Sequence, residues 1–271
     1  MTLLVTEIHV GSTIKDSIVF FGADRRISLL PQGGKKNVFF RLSKKIFTIP
    51  YLNAGIGFFG LAEVRQLKGK QIISAQRMSD WLSRFVTKSY HLGSLCDFAN
   101  ALTSELTRVI PSQDKRKYPS GFHLAGFNAQ GFPEFWFVRN IEGMDDYAYQ
   151  GFNDQYVVTE EFLTKQARDG GFDGVNEAVQ ATFRAIYRNG DYRGHVASWN
   201  KADEIMRFLS RFPDFKSIRS IEQYEDYIKF KIRLIASIYK KYCSQSIIGT
   251  PVDTLHIAAP NRKLTIKQYP L

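Results

Sequence analysis

Runs of apolar, β-branched and aromatic residues mark the strands expected in this chain. The runs at 2–10 and 17–24 are nearly continuous and are separated by a polar turn, which predicts a β-hairpin with both strands buried on both faces. Shorter runs predict further strands at these places: 38–40, 45–49, 54–60, 122–127, 134–138, 147–151, 253–258 and 264–266.

Apolar residues spaced three to four positions apart predict helices elsewhere. The helices are expected after Ser79, from Ser94 to Pro111, at 175–187, at 201–209 and along a stripe from Ile221 to Tyr242. Residues 159–242 as a whole are therefore predicted to be mainly helical. The order of strands, helices, strands, helices and strand favours an α+β domain with helices on both faces of largely antiparallel sheets.

The composition is that of a folded protein with a sizeable core. Of the 271 residues, 44% are apolar and 14% are aromatic, enough for one large domain or two small ones. No run approaches the ~18 apolar residues of a membrane span, and the N-terminus lacks the pattern of a secretory signal. Cys96 and Cys243 lack metal-site spacing. We therefore expect a soluble, cytoplasmic protein without a membrane segment, a disulfide framework or a zinc site.

The net charge of +11 raises the question of a nucleic-acid partner. The basic residues are scattered doublets, such as Lys35-Lys36 and Lys240-Lys241, and no nucleic-acid-binding motif accompanies them. Their arrangement favours a solvated surface, and binding to nucleic acid is kept only as a minor alternative. The five histidines show no metal-ligand spacing, which favours a structural or exposed position for each.

Three residues are candidates for chemistry at one end of the predicted hairpin. Asp24 ends the second buried run and Lys45 begins a later strand, so their side chains can face each other across a sheet. Thr2, at the start of the first strand, is the residue that the pair would face.

Each candidate also has a simpler interpretation. Thr2 can be an ordinary strand residue, and Asp24 can form an ion pair with either arginine that follows it. Lys44 rather than Lys45 can be the inward lysine. The glycines within 54–60 can serve only to let another backbone come close.

Four stretches of the sequence, taken in order, are similar to those of one known family. They are IVFFGADRR at 18–26, SKKIFTI with the glycine-spaced NAGIGFFGLAEV at 43–64, FHLAGFNAQGFPEFWFV at 122–138 and IIGTPVDTLHI at 247–257. With these motifs, residues 2–160 and about 220–260 resemble the proteasome β-subunit-like N-terminal-nucleophile (Ntn) hydrolases.

The resemblance implies a fold. It implies a four-layer αββα sandwich formed by residues 1–271 as a single domain. A helical insertion is then expected at about 165–218.

The resemblance also implies the roles of the candidate residues. The N-terminal residue is the nucleophile in this family, here Thr2 after removal of Met1. A threonine hydroxyl needs a base, and the α-amino group, with an ordinary pKa of about 8, serves as that base. Lys45 and Asp24 would organise the site. The backbone N–H of Gly57 would hold the oxyanion.

The implied function is that of a proteasome-like threonine hydrolase that cleaves peptide or amide bonds. Such an enzyme needs no metal or organic cofactor, and members of the family usually assemble, so a homo-oligomer is expected.

The chain departs from the family pattern at positions that support the nucleophile. Arg25 and Phe152 each stand where the family has a serine. Gln245 and Ser246 stand where an Asp-x-x-Ser pair is expected. These departures favour an alternative, a catalytically inactive proteasome-like scaffold or binding subunit of a homo-oligomer.

Overall fold

The structure is a computed structural model of the protein. The structure describes residues 2–11, 16–29, 38–68, 71–145, 148–162, 184–216, 218–243 and 246–260.

The strands within these residues follow the hydrophobic runs of the sequence. They are β1 (Leu3–His9), β2 (Ile18–Asp24), β3 (Arg26–Leu29), β4 (Val38–Leu42), β5 (Ile46–Ile49), β6 (Ala54–Phe59), β7 (Glu63–Lys68), β8 (Gln71–Arg77), β9 (Gly121–Phe127), β10 (Pro133–Asp145), β11 (Ala148–Glu160), β12 (Arg184–Gly190) and β13 (Val252–Ala258). The helices are α1 (Met78–Lys88), α2 (Leu95–Val109), α3 (Ser112–Lys115), α4 (Tyr192–Leu209) and α5 (Ile221–Tyr242). No helix in the described residues is long and apolar enough to cross a membrane.

Two antiparallel sheets form the centre of the protein. One has the strand order β12-β1-β2-β13 and the other has the order β11-β10-β9-β6-β5. The predicted hairpin is present as β1 and β2, in which every residue is buried. All the strand pairs among the described residues are antiparallel. The α+β class with antiparallel sheets, predicted from the sequence, is therefore confirmed.

The helical prediction for 175–187 is wrong where the structure describes it. Residues 184–190 form β12, which pairs with β1 from Leu3 opposite Gly190 to His9 opposite Arg184. Without β12, β1 would be a buried edge with unpaired backbone groups, and this requirement outweighs the helical spacing. The expected insertion at about 165–218 therefore contains a strand of the sheet and then α4. Its first part, like the strand expected at 264–266, lies outside the described residues.

The helix boundaries agree with the sequence in part. Ser94 caps α2, because its hydroxyl accepts a hydrogen bond from the Asp97 N–H at 3.0 Å. Helix α1 instead begins at Met78, and Ser79 lies inside it. The β7–β8 hairpin that precedes α1 was not predicted, because its β8 strand is almost entirely exposed and lacks a buried pattern.

Three hydrophobic clusters hold the layers together. Between the two sheets, Leu4 and Phe21 pack with Phe59 and Phe135. A second cluster joins the outer face of the five-stranded sheet to α1 and α2, and a third joins the outer face of the four-stranded sheet to α4 and α5. Each sheet thus buries one face against the other sheet and one face against helices.

A group of charged side chains lies between the four-stranded sheet and helices α4 and α5. The sequence analysis did not predict this group. The Lys231 Nζ of α5 lies 3.0 Å from the Asp203 carboxylate of α4 and 3.5 Å from the Glu7 carboxylate of β1. Arg184 of β12 donates to Asp203 at 2.8 Å. Glu7, Asp203 and Lys231 are buried, so these charges compensate one another away from water.

Hydrogen bonds complete the environment of Glu7. Its carboxylate accepts from the Trp199 Nε1 at 3.0 Å and from the Tyr224 hydroxyl, and it lies 2.9 Å from the His9 Nε2. Burial alone would raise the pKa of Glu7, but the Lys231 ammonium and the His9 hydrogen bond hold it well below its usual range. Glu7 is therefore ionised, and it joins β1 to both helices.

We predict that Lys231→Met destabilises the protein strongly. The substitution removes the Lys231 ammonium from the buried Glu7 and Asp203 carboxylates, which lowers the free energy of unfolding by about 3–5 kcal/mol in urea denaturation. Lys229→Met is the matched control, because Lys229 is on the same helix and its ion pair with Asp226 is at the surface. The control is expected to change stability by less than about 0.5 kcal/mol. Equal effects of the two substitutions would contradict this account.

Candidate functional site

Lys45 and Asp24 face each other as the sequence predicts. The Lys45 Nζ donates to the Asp24 Oδ1 at 3.1 Å and to the Arg26 carbonyl at 2.7 Å. Both side chains are buried, whereas Lys44 is exposed and its Nζ lies over the Phe47 ring. Burial lowers the pKa of the Lys45 ammonium from its ordinary value, and the Asp24 carboxylate opposes this shift. Lys45, not Lys44, is the inward lysine.

The Asp24 carboxylate also accepts three backbone hydrogen bonds. They come from the N–H of Leu3 at 2.9 Å, the N–H of Arg26 at 3.1 Å and the N–H of Gly249 at 3.4 Å. The simpler interpretation of Asp24 as an ion-pair partner of Arg25 is wrong, because the Arg25 Nε lies 3.2 Å from the Asp253 carboxylate. Asp24 therefore joins the start of β1 to the start of β3 and to the segment that precedes β13.

Thr2 is held at the edge of this cluster by its backbone. Its carbonyl accepts a hydrogen bond from the Asp191 N–H at 2.7 Å, and the next residue, Leu3, donates to Asp24. Thr2 is only 5% exposed. Among the described residues, its hydroxyl makes no hydrogen bond to Lys45 or Asp24. The structure thus brings the three predicted residues to one place, with Thr2 joined through the main chain.

Gly57 lies in the interior of β6, paired with Ile46 on one side and His123 on the other. A residue in a central antiparallel strand directs its N–H at one of its two neighbours. A Cβ added at Gly57 would lie 2.6 Å from the Leu4 Cδ1, and one at Gly55 would lie 2.7 Å from the Phe21 ring. These contacts favour the packing interpretation of the glycines over the oxyanion role.

A junction at the end of β12 was missed by the sequence analysis. Gly190 has a φ of +99°, and a Cβ there would lie 1.8 Å from the Thr2 carbonyl oxygen. The Asp191 side chain that follows is buried and accepts a hydrogen bond from the Tyr239 hydroxyl of α5. The signal was the Asn-Gly-Asp sequence at 189–191, which is typical of a turn and interrupts the predicted helical region.

A series of hydrogen-bonded polar side chains, buried or partly buried, extends between the sheets to the turn at Gly190. The Thr6 hydroxyl lies 2.9 Å from the His123 Nδ1, and the His123 Nε2 lies 3.1 Å from the Asn189 side-chain amide. The Tyr149 hydroxyl lies 3.4 Å from the Asn189 Oδ1 and accepts from the Gly190 N–H at 2.6 Å. His123 therefore has a structural position. Tyr149 holds the Gly190 backbone, which lies against the Thr2 carbonyl.

Among the positions where the chain departs from the family pattern, Arg25 directly follows Asp24 and the others lie on different segments. Phe152 is half-exposed on β11, and Asp154 pairs with Arg116 at the surface. The Ser246 hydroxyl donates to the Ile248 carbonyl at 3.4 Å, and Gln245 is outside the described residues. Asp191 is a further acidic residue next to Thr2, and its backbone N–H donates to the Thr2 carbonyl.

No group of His, Cys, Asp and Glu side chains in the described part of the chain is arranged to hold a metal ion. A cavity of about 380 Å³ is lined by Arg25, Ser43 and Lys44, next in sequence to the cluster, but Thr2 does not line it.

The sequence matches no model of a known protein family. A comparison with curated proteins finds no significant match either.

We predict that Gly190→Ala perturbs the junction at Thr2. The new methyl group would meet the Thr2 carbonyl in a backbone conformation that non-glycine residues rarely adopt, and the free energy of unfolding should fall by about 2–4 kcal/mol. Gly131→Ala is the matched control, because Gly131 also has a positive φ, of +81°, but nothing lies within 4 Å of an added Cβ. The control should cost about 1–2 kcal/mol in the same denaturation experiment. If Gly131→Ala costs as much as Gly190→Ala, the close approach at Thr2 is not important.

Proposed function

We propose that the protein is a proteasome-like threonine hydrolase with the four-layer αββα sandwich of the Ntn hydrolases. The order of packing supports the fold, because α1 and α2 cover one sheet, the sheets cover each other, and α4 and α5 cover the second sheet. One observation carries the activity. The buried Lys45 ammonium is held between the Asp24 carboxylate and the Arg26 carbonyl. The same Asp24 carboxylate accepts a hydrogen bond from Leu3, the residue after Thr2.

In the proposed reaction, removal of Met1 gives Thr2 a free α-amine. The Thr2 Oγ attacks the carbonyl carbon of a peptide or amide bond, and its proton passes to the α-amine. The proton then goes to the leaving amine as the C–N bond breaks, which leaves an ester on Thr2. Water hydrolyses this ester, releases the acid and restores the hydroxyl.

The surrounding groups would act on charge and position. The Lys45 cation lowers the pKa of a nearby hydroxyl, and Asp24 keeps that cation oriented. Because the N–H of Gly57 is directed at a neighbouring strand, it does not serve as the oxyanion donor in the proposed reaction.

A second candidate function is an inactive scaffold or binding subunit with the same fold. The burial of Thr2 favours it, together with the lack of a hydrogen bond between its hydroxyl and Lys45 among the described residues. In this case Asp24 and Lys45 are structural.

We also propose that the protein forms a homo-oligomer through the outer face of α5. The predicted apolar stripe is buried at Tyr224 and Ile232 but exposed at Ile238 and Tyr242. Together with Phe230 and Leu234, also exposed, these residues form a row along the helix at a spacing of four. A row of large apolar side chains on a surface is typical of an interface.

The charges on α5 favour a second copy of this chain as the partner. The first turns of α5 carry Glu222, Glu225 and Asp226, whereas its last turn carries Lys240 and Lys241. Two α5 helices that pack antiparallel about a two-fold axis would place the acidic end of each beside the basic end of the other.

We predict that a Thr-directed electrophile marks Thr2. A peptide epoxyketone should add once to the wild-type protein, and the intact mass and the N-terminal peptide should locate the adduct on Thr2. Thr2→Ala should give none. Lys45→Met should slow the reaction at least 100-fold, whereas Lys44→Met should leave it within about twofold, because only Lys45 is inward. An unmodified wild-type protein, or loss of reaction in Lys44→Met alone, would contradict the proposal.

We predict that Phe230→Glu, alone or with Leu234→Glu, converts the oligomer to monomer in sedimentation equilibrium. A buried, unpaired carboxylate in the centre of the interface is costly. Ile73→Glu is the matched control, because Ile73 is also exposed but lies on β8. A monomeric wild-type protein, or dissociation by Ile73→Glu as well, would contradict an α5 interface.

A further inference from the structure

A groove on the side of the five-stranded sheet lies apart from the Thr2 site. It has a volume of about 740 Å³ and lies between the β7–β8 hairpin and helices α1 and α2. None of Thr2, Asp24 and Lys45 lines it. The volume is within the range of about 300–1,000 Å³ that is typical of small-molecule sites.

Cations dominate the walls of the groove. Arg65, Arg84, Lys88 and Arg108 line it, against the single carboxylate of Glu105. That carboxylate already forms two hydrogen bonds with Arg108, at 2.9 and 2.6 Å. Within the described residues, Arg84 and Lys88 have no ion-pair partner within 4 Å. Arg65 lies 3.5 Å from the Glu63 carboxylate. Arg84 and Lys88 are therefore the two positive charges of the groove that no described carboxylate within 4 Å neutralises.

One wall is aromatic. The rings of Trp81 and Phe85, one turn apart on α1, are stacked with their centroids 5.5 Å apart and an interplanar angle of 14°. Both rings are partly buried and both line the groove. A flat aromatic surface next to cations suits a ligand that joins a planar ring to an anionic group.

We propose that this groove binds a nucleoside phosphate. The phosphates lie against Arg84 and Lys88, and the base packs against Trp81. The site is separate from the proposed hydrolase site and does not depend on Thr2 chemistry.

The intrinsic tryptophan fluorescence provides a local probe. The protein has three tryptophans, and Trp136 and Trp199 are buried, so quenching by a ligand in the groove reports on Trp81. ATP, GTP, adenosine and inorganic tripolyphosphate are titrated separately at low salt, with calorimetry as a second readout. We expect saturable binding of a nucleoside triphosphate, at least tenfold tighter than that of adenosine or tripolyphosphate alone.

Variants separate a built site from general attraction to a basic protein. Arg84→Gln and Lys88→Gln should each weaken binding at least fivefold. Arg219→Gln is the control, because Arg219 is exposed and does not line the groove. An equal loss with Arg219→Gln, or no saturable binding of any nucleoside triphosphate at millimolar concentration, would overturn the proposal. So would a single-stranded oligonucleotide that binds more than 100-fold tighter than its mononucleotides, because the groove would then be part of a nucleic-acid surface.

Discussion

The Asp24 carboxylate is the group around which the centre of the protein is arranged. It lies at the end of β2 and accepts hydrogen bonds from the main chain of Leu3, Arg26 and Gly249 and from the Lys45 ammonium. A buried carboxylate is tolerated only when its charge is compensated, so these segments must meet for the sheets to close. The same requirement fixes the start of β1, and with it the position of Thr2.

A second constraint acts on Thr2 from the other side. Strand β12 ends at Gly190, whose left-handed backbone lets it approach the Thr2 carbonyl, and the next N–H donates to that carbonyl. The Asp191 side chain then ties this turn to α5 through Tyr239. Hydrogen bonds thus connect Thr2 to the four-stranded sheet and to α5. Further along β1, the buried ion pairs around Glu7 connect the same sheet to α4 and α5.

The sequence predicted those features that depend on neighbouring residues. Buried runs predicted the β1–β2 hairpin, and helical spacing with a serine cap predicted α2. The residues alone left Lys44 and Lys45 open as the partner of Asp24, and the family resemblance favoured Lys45. Features that depend on distant residues were not accessible. A strand at 184–190 is needed only because β1 requires a partner, and Lys231 appears as an ordinary surface lysine until Glu7 and Asp203 are known to lie beside it. Apolar spacing also overstated the buried stripe of α5, since spacing does not distinguish a buried apolar face from an exposed one.

The proposed hydrolase needs Thr2 as its N-terminal residue, and the most direct measurement is the identity of the N-terminal residue in the protein purified from cells. Mass analysis of the N-terminal peptide separates the two possibilities. The account predicts a free threonine amine, with Met1 removed. A peptide that begins with Met1 would leave Thr2 without its base, contradict the hydrolase assignment and favour the scaffold, in which Asp24 and Lys45 only hold the sheets together.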